Sequence, residues 1–142
     1  MLYIGTNKPL LRRAWDKESP DLSVRSLSGH DAPIRVHFRY GEVQYVGSTS
    51  GCGCDFPSVM YQNGGWPVPE TQLDEEGLAS DRFNRKALFE LLQSLDEKVI
   101  EIYVVWAGNY AREPKIREEI RLERILDPDF YFKEQGFLTV NL

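Results

Sequence analysis

The chain has 142 residues, enough for one domain that buries a core without disulfide or metal support. Its 42% hydrophobic and 27% charged composition indicates neither a disordered nor a fibrous protein. The net charge of −5 argues against nucleic acid or an anionic membrane as the main partner, because Lys/Arg clusters carry such binding. With no candidate membrane span and no signal-peptide pattern, the expected location is the cytoplasm.

The first predicted elements are strands. We expect residues 2–5 to form a short strand. Residues 34–40 alternate apolar and polar side chains with the period of two that is typical of a half-buried strand. Gly41 and Glu42 form a two-residue connection suited to a type II′ turn. Pairing across this turn with residues 43–47 places every apolar side chain on one face, so the sequence predicts a β-hairpin.

A long irregular segment and one helix follow. Residues 49–79 lack periodicity and are rich in glycine and proline, which is typical of a functional loop. Ser80 resembles an N-cap, and the spacing predicts a helix over about residues 81–96. The side chains expected to be buried are Phe83, Ala87, Leu88, Leu91, Leu92 and Leu95. Those expected to face water are Arg82, Arg85, Lys86, Glu90 and Gln93.

The last third of the chain predicts strands again. Residues 98–106 are apolar on both faces except at Glu101, which indicates a central strand. A loop over residues 106–114 comes next. Residues 116–124 fit a helical stripe poorly and alternate more like a strand, so a strand is predicted.

The C-terminal residues complete the predicted fold. Asp127-Pro128-Asp129 is a turn signal, and the apolar residues beyond it predict one or two closing strands. The element order of strands, one helix and strands again favours an α+β fold over a doubly wound parallel sheet. We therefore predict a single α+β domain over residues 1–142. It has one mostly antiparallel or mixed sheet, with the main helix packed against a face.

The only two cysteines lie one residue apart in the segment GCGC. On an extended backbone Cys52 and Cys54 point to the same side, so two sulfurs could converge on one ion. Zinc requires four ligands, and the nearby candidates are His30, His37, Asp31 and Asp55, of which the two histidines lack the spacing of a zinc finger relative to the cysteines. A disulfide between the pair would be strained and easily reduced. The favoured interpretation is small residues in a tight turn. The alternative is a zinc-binding or redox-active thiol site formed by Cys52, Cys54 and His37.

His37 is the candidate base. On the predicted strand it lies on the polar face between Arg35 and Arg39, whose charges favour a neutral ring. A cysteine hydrolase or transferase would use Cys52 or Cys54 with His37 and Asp31 or Asp55, and it needs the His37 ring within hydrogen-bond reach of the thiol. The predicted hairpin places it opposite Val46, several residues short of Cys52. The chain has no phosphate-loop, dinucleotide, nucleophile-elbow or zincin motif, so whether it is an enzyme stays open.

Aromatic residues in two loops form the third candidate site. Trp66 follows two glycines in a Gly/Pro-rich loop, and Trp106, Asn109 and Tyr110 come just after the predicted central strand. Loops beyond strand ends are common places for binding sites. The simpler interpretation is that both tryptophans seal the ends of the core, because tryptophan is mostly buried on average. An exposed Trp66 would instead indicate an anchor for a protein partner.

Three stretches carry a resemblance: YVGSTSGCGCDF (45–56), LYIGTNKPL (2–10) and EIYVVWAG (101–108). Together they resemble a group of small bacterial proteins, which implies a bacterial, cytoplasmic setting and brings no activity. From the residues themselves, the leading hypothesis is a non-enzymatic binding or protein-interaction domain. Its partner would be a protein or a small ligand, contacted through residues 49–79 and 106–110. The sequence leaves the oligomeric state open.

Overall fold

The computed structural model describes residues 1–51, 56 and 75–142. These residues form one mixed six-stranded sheet and one long helix, which confirms the α+β fold. The elements in chain order are β1 (Leu2–Thr6), β2 (Ser23–Ser26), β3 (Glu42–Gly47), α1 (Glu75–Gln93), β4 (Val99–Val104), β5 (Ile116–Arg121) and β6 (Gly136–Asn141). Among the described residues, two 3₁₀ helices, Ala32–His37 and Leu122–Leu126, lie between strands. No described helix is both long enough and apolar enough to cross a bilayer.

The sheet has the order β2-β3-β1-β4-β6-β5. All neighbouring strands are antiparallel except β5 and β6, which are parallel. The strands predicted at residues 2–5 and 98–106 are both present, and they lie side by side in the middle of the sheet. Their apolar character follows from that position, because a central strand is covered on both faces.

Helix α1 covers one face of this sheet. Leu88 and Leu92 are fully buried against it, as their spacing of four residues predicts. The second 3₁₀ helix packs beside α1 and contributes Ile125 to the same core. The sheet residues on this face are Leu2, Ile4, Val24, Val46, Ile100, Ile102, Val104, Leu138 and Val140.

The opposite face carries a row of aromatic rings. The strand register aligns Tyr45, Tyr3, Tyr103 and Phe137 across four neighbouring strands. Their rings are buried, and the first 3₁₀ helix covers them with Ile34. The sheet is therefore the middle layer between a helical core and an aromatic core.

The predicted hairpin at residues 34–47 is wrong in its first half. Ala32–His37 is a 3₁₀ helix that begins with Pro33 in its first turn. Because a 3₁₀ helix repeats every three residues, its buried side chains are Ile34 and His37, whereas Val36 is 76% exposed. An alternation of apolar and polar residues cannot distinguish this arrangement from a strand. β3 is present, and it pairs with β1 and β2 instead.

The helix also differs from its prediction. It is present by Glu75 and ends at Gln93, so Ser80 lies inside it and is not its N-cap. Phe83, predicted to be buried, is 56% exposed. Arg85, predicted to face water, is buried because its guanidinium pairs with Asp81 at 2.9 Å and donates to carbonyl oxygens of residues 125, 127 and 130.

Two of the strands predicted for the C-terminal region are present, and the first of them is shorter than predicted. The strand predicted over residues 116–124 ends at Arg121, where the second 3₁₀ helix begins. Residues 127–129 form the expected turn. Phe130 and Phe132 do not belong to a strand, and their rings pack edge to face at 5.1 Å in the helical core. This segment returns the chain over the helical side of the sheet, which allows β6 to run parallel to β5.

Candidate binding site

Two of the strands end at the same end of the sheet. Leu2, at the start of β1, lies between Val46 of β3 and Val104 of β4. β3 and β4 are both antiparallel to β1, so both of them end where β1 begins. The chain leaves β3 towards Gly51 and leaves β4 towards Trp106 at this end, which we name the Trp106 end. The two exits are two strand spacings apart, or roughly 10 Å.

The turn of residues 106–110 follows β4 directly. The Trp106 N–H donates to Glu134 Oε1 at 2.9 Å, and the Asn109 N–H donates to the Trp106 carbonyl at 3.0 Å. Gly108 has a φ of +89°, a left-handed conformation that favours glycine. The Trp106 side chain is 48% exposed. The turn is thus held by its backbone while it presents a large ring to solvent.

Buried rings support the turn from below. The Tyr110 ring packs edge to face on Tyr3, with centroids 6.2 Å apart, and the His37 ring packs on Tyr103 at 5.2 Å. The Tyr103 hydroxyl donates to the Arg112 carbonyl at 2.7 Å. Burial raises the pKa of Tyr103 to about 12, with smaller contributions from nearby carboxylates, so this hydroxyl remains a donor at neutral pH. These contacts fasten the turn to the aromatic face of the sheet.

Glu134 is a buried carboxyl group at the same end. Its Oε1 accepts from Trp106, whereas Oε2 is buried and accepts no hydrogen bond from the described residues. Burial raises its pKa, and the Trp106 N–H offsets part of that effect. The Met1 amine lies nearby and donates to the Val105 carbonyl at 2.8 Å, and burial lowers its pKa to about 6.

Asp31 is the second buried carboxyl group of this region. It accepts from the Ser28 backbone and hydroxyl, from the Tyr3 hydroxyl at 3.3 Å and from Arg25 at 2.8 Å. Burial acts to raise the pKa of Asp31, but the hydrogen bonds from Ser28 and Arg25 outweigh it and leave the pKa below its usual value. Asp31 therefore stays ionised and ties the start of the first 3₁₀ helix to β1 and β2.

Trp15 is a second exposed tryptophan at the Trp106 end. Its side chain is 43% exposed, and its Nε1 donates to the Thr49 carbonyl at 2.9 Å. The ring lies against Gly51, whose φ is +86° and where a Cβ atom would come within 2.8 Å of the ring. No pattern in the sequence marks Trp15 as a site residue. Its neighbours Arg13 and Asp16 give no local signal that the ring would cover the exit of β3.

His37 does not lie on an exposed strand face as predicted. Its side chain is buried, with Nε2 3.2 Å from the Tyr110 carbonyl and Nδ1 3.7 Å from a carboxylate oxygen of Glu113. Three of the predicted site residues, His37, Asn109 and Tyr110, are thus brought together around one turn. The buried position of His37 could have been found from its spacing of three residues from Ile34, which fits a 3₁₀ helix. The alternation of apolar and polar residues in the same stretch fits a strand equally well.

Cys52, Cys54 and Trp66 lie outside the described residues. Within residues 1–51, 56 and 75–142, no group of three or more His, Asp or Glu side chains is placed to hold a metal ion. The thiol hypothesis therefore stays a prediction. Elemental analysis of protein purified without chelator, together with a count of reactive thiols, tests it directly. Bound zinc or a reversible dithiol would support it, and a metal-free protein with two unreactive thiols would contradict it.

Glu101 and Arg39 form a further polar pair that the sequence signalled in part. Glu101 interrupts an otherwise apolar strand, and it is buried with its carboxylate bonded to the Arg39 side chain at 2.6 Å and backbone N–H at 2.9 Å. Arg39 itself is mostly exposed, so this pair anchors the chain after the first 3₁₀ helix. It lies at the end of the sheet opposite Trp106 and is structural.

Comparisons with protein-family models, with curated proteins and with solved structures found no match to this chain.

Proposed function

We propose that this protein is a small binding module that recognises a protein partner through the Trp106 end of its sheet. The observation that carries the proposal is the 48% exposed ring of Trp106 on a turn held by buried groups. Tryptophan dominates interface energetics when its ring enters a pocket on a partner. A turn already held in one conformation loses little entropy on binding, so more of the contact energy appears as affinity.

The position at which the chain leaves β3 supports the choice of the same binding surface. Trp15 lies at this end, where its Nε1 donates to the Thr49 carbonyl and its ring lies against Gly51. The two contacts predicted from the sequence, residues 49–79 and residues 106–110, therefore begin on one side of the molecule. One partner surface could engage both. This is why a protein is a better candidate partner than a small molecule.

The class of partner follows from charge. A chain of net charge −5 is a poor ligand for nucleic acid or for an anionic membrane surface. We keep a bacterial cytoplasm as the expected setting, on the sequence resemblance alone. The protein acts in this proposal by binding, with no reaction assigned to its buried carboxyl groups.

Affinity measurement with matched variants tests the proposal. A partner identified by capture on the immobilised protein is titrated against wild type, Trp106→Ala and Leu126→Ala. Leu126 is 42% exposed and follows β5 at the opposite end, so it is an apolar control of similar exposure. We expect Trp106→Ala to weaken binding about 30-fold, the effect of a hot spot of about 2 kcal/mol, and Leu126→Ala to leave it unchanged. Unchanged affinity of a folded Trp106→Ala variant would contradict the proposal.

A further inference from the structure

The two edges of the sheet differ in how far other residues cover them. At the β2 edge, Arg13 forms a bridge to Val24 with backbone hydrogen bonds of 3.0 and 2.8 Å, which covers part of that edge. At the other edge β5 pairs with β6 on its inner side, and its outer side pairs with no strand among the described residues. An uncovered edge presents backbone donors and acceptors that can pair with another strand.

The side chains of β5 do not form a run of like charges that would repel a second strand from this edge. Along Ile116–Arg121 the sequence is IREEIR. Arg117, Glu119 and Arg121 are exposed on the aromatic side of the sheet, with opposite charges two residues apart. Ile116 and Ile120 lie half-buried on the helical side. A run of like charges would repel a second copy of this strand, whereas this alternation offers it complementary positions.

We propose that β5 pairs with β5 of a second copy of this chain, antiparallel, about a twofold axis through Glu118. In this register Arg117 lies opposite Glu119 of the second copy, and Ile116 lies opposite Ile120 of the second copy. Because the axis is twofold, each of these pairs occurs twice. The two six-stranded sheets then form one continuous sheet. The proposal concerns assembly and is independent of binding at the Trp106 end.

The charge pattern and the length of β5 together select this register among those in which paired residues lie on the same face of the joined sheet. Moving the axis by one residue to Glu119 places Arg117 opposite Arg121 and pairs Glu119 with itself, which is repulsive. Moving it to Ile120 shortens the ladder, because β5 ends at Arg121. In the chosen register Glu118 meets its own copy at the axis. Its charge is already matched by Lys133, whose Nζ lies 2.5 Å from Glu118 Oε1.

The surroundings of the edge leave room for the second copy. A cavity of about 570 Å³ lies beside the C-terminal half of β5, between the strand and the second 3₁₀ helix. Its lining includes Glu119, Ile120 and Arg121, so among the described residues this half of the strand borders a space that no other element fills. Backbone pairing, two isoleucine pairs and two ion pairs make a modest interface, so we expect a reversible dimer.

Sedimentation velocity over a range of concentrations, from micromolar to submillimolar, tests the proposal. We expect wild type to show a concentration-dependent dimer. Arg117→Glu and Glu119→Arg each place like charges opposite one another at two positions, and each should weaken the dimer about tenfold or more. The double variant Arg117→Glu/Glu119→Arg restores both ion pairs with their signs exchanged, and it should recover the dimer.

Matched controls separate assembly from folding. Glu90→Arg on α1 makes the same change in net charge as Glu119→Arg, away from this edge, and should leave the dimer intact. Arg117 also stacks over Phe137 at 4.7 Å, so circular dichroism must show that its variant is folded, and Glu119→Arg carries the test if it is not. A monomer at all concentrations, or a dimer that both single reversals leave unchanged, would overturn the proposal.

Discussion

Removal of the buried guanidinium of Arg85 should destabilise this protein more than most single substitutions. Arg85 is buried on α1, pairs with Asp81 at 2.9 Å and donates to the carbonyl oxygens of Ile125, Asp127 and Phe130 at 3.3, 2.7 and 3.4 Å. It is therefore a polar clamp between the helix and the segment that leads to β6. Arg85→Met keeps the volume of the side chain but removes the charge and all of its donors.

The size of the expected loss of stability follows from the charge that stays buried after the substitution. Breaking a buried ion pair on one side costs about 3–5 kcal/mol, because the remaining charge loses its partner. At roughly 3–4 °C per kcal/mol for a chain of this size, the melting temperature should fall by roughly 10–20 °C. Asp81→Asn should cost less, about 1–3 kcal/mol, because the guanidinium keeps its three carbonyl acceptors. The double variant should lose less than the sum of the two single losses.

Urea unfolding followed by tryptophan fluorescence, with thermal melts in parallel, measures these losses. Arg82→Met is the matched control: Arg82 is exposed on the same helix, and its substitution should change stability by no more than about 0.5 kcal/mol. A loss below about 1 kcal/mol for Arg85→Met, or a loss equal to that of the control, would refute the description of Arg85 as a buried clamp.

Two further predictions concern the sheet and the Trp106 end. Gly5→Ala puts a Cβ atom 2.4 Å from the ring of Phe38, and this overpacking should lower the free energy of unfolding by about 1–3 kcal/mol. Gly41→Ala, whose Cβ atom would have nothing within 4 Å, should leave it unchanged. Equal denaturation midpoints for the two variants would contradict this prediction. Burial raises the pKa of Glu134 in the folded protein above its usual value of about 4.5. The protonated carboxyl group therefore stabilises the fold fully below about pH 4.5, and this stabilisation is lost as the pH rises through the pKa of the folded state. Glu134→Gln should abolish that part of the pH dependence in melts from pH 4 upwards, and an unchanged profile would show that another group causes it.

The middle strands and the core of the helix could be predicted from the sequence because their signals are local. Residues 2–5 are apolar, and residues 98–106 are apolar on both faces except at Glu101, a pattern that indicates strands in the middle of a sheet. Leu88 and Leu92 share a helix face by their spacing alone. The turn after β4 follows from the end of that strand, so Trp106, Asn109 and Tyr110 could be selected before the fold was known.

The prediction failed where two structures share one pattern or where a partner is remote in sequence. Ile34, Val36 and Phe38 alternate as in a strand, but Ile34 and His37 also match the three-residue repeat of a 3₁₀ helix. Arg85 was expected at the surface because its acceptors are carbonyl oxygens some forty residues away, in a segment whose position no local pattern reveals.

The sequence by itself therefore determined the α+β class, the central strands and the aromatic turn, since each depends on residues close together along the chain. Only the tertiary structure decided that β3 and β4 end at the same end of the sheet, because both pair with β1 and run antiparallel to it. It also decided that Glu134 supports Trp106, that His37 lies under the turn and that the outer side of β5 pairs with no strand among the described residues. Strand order controls all of these relations, and it arises from pairing between segments far apart in the chain.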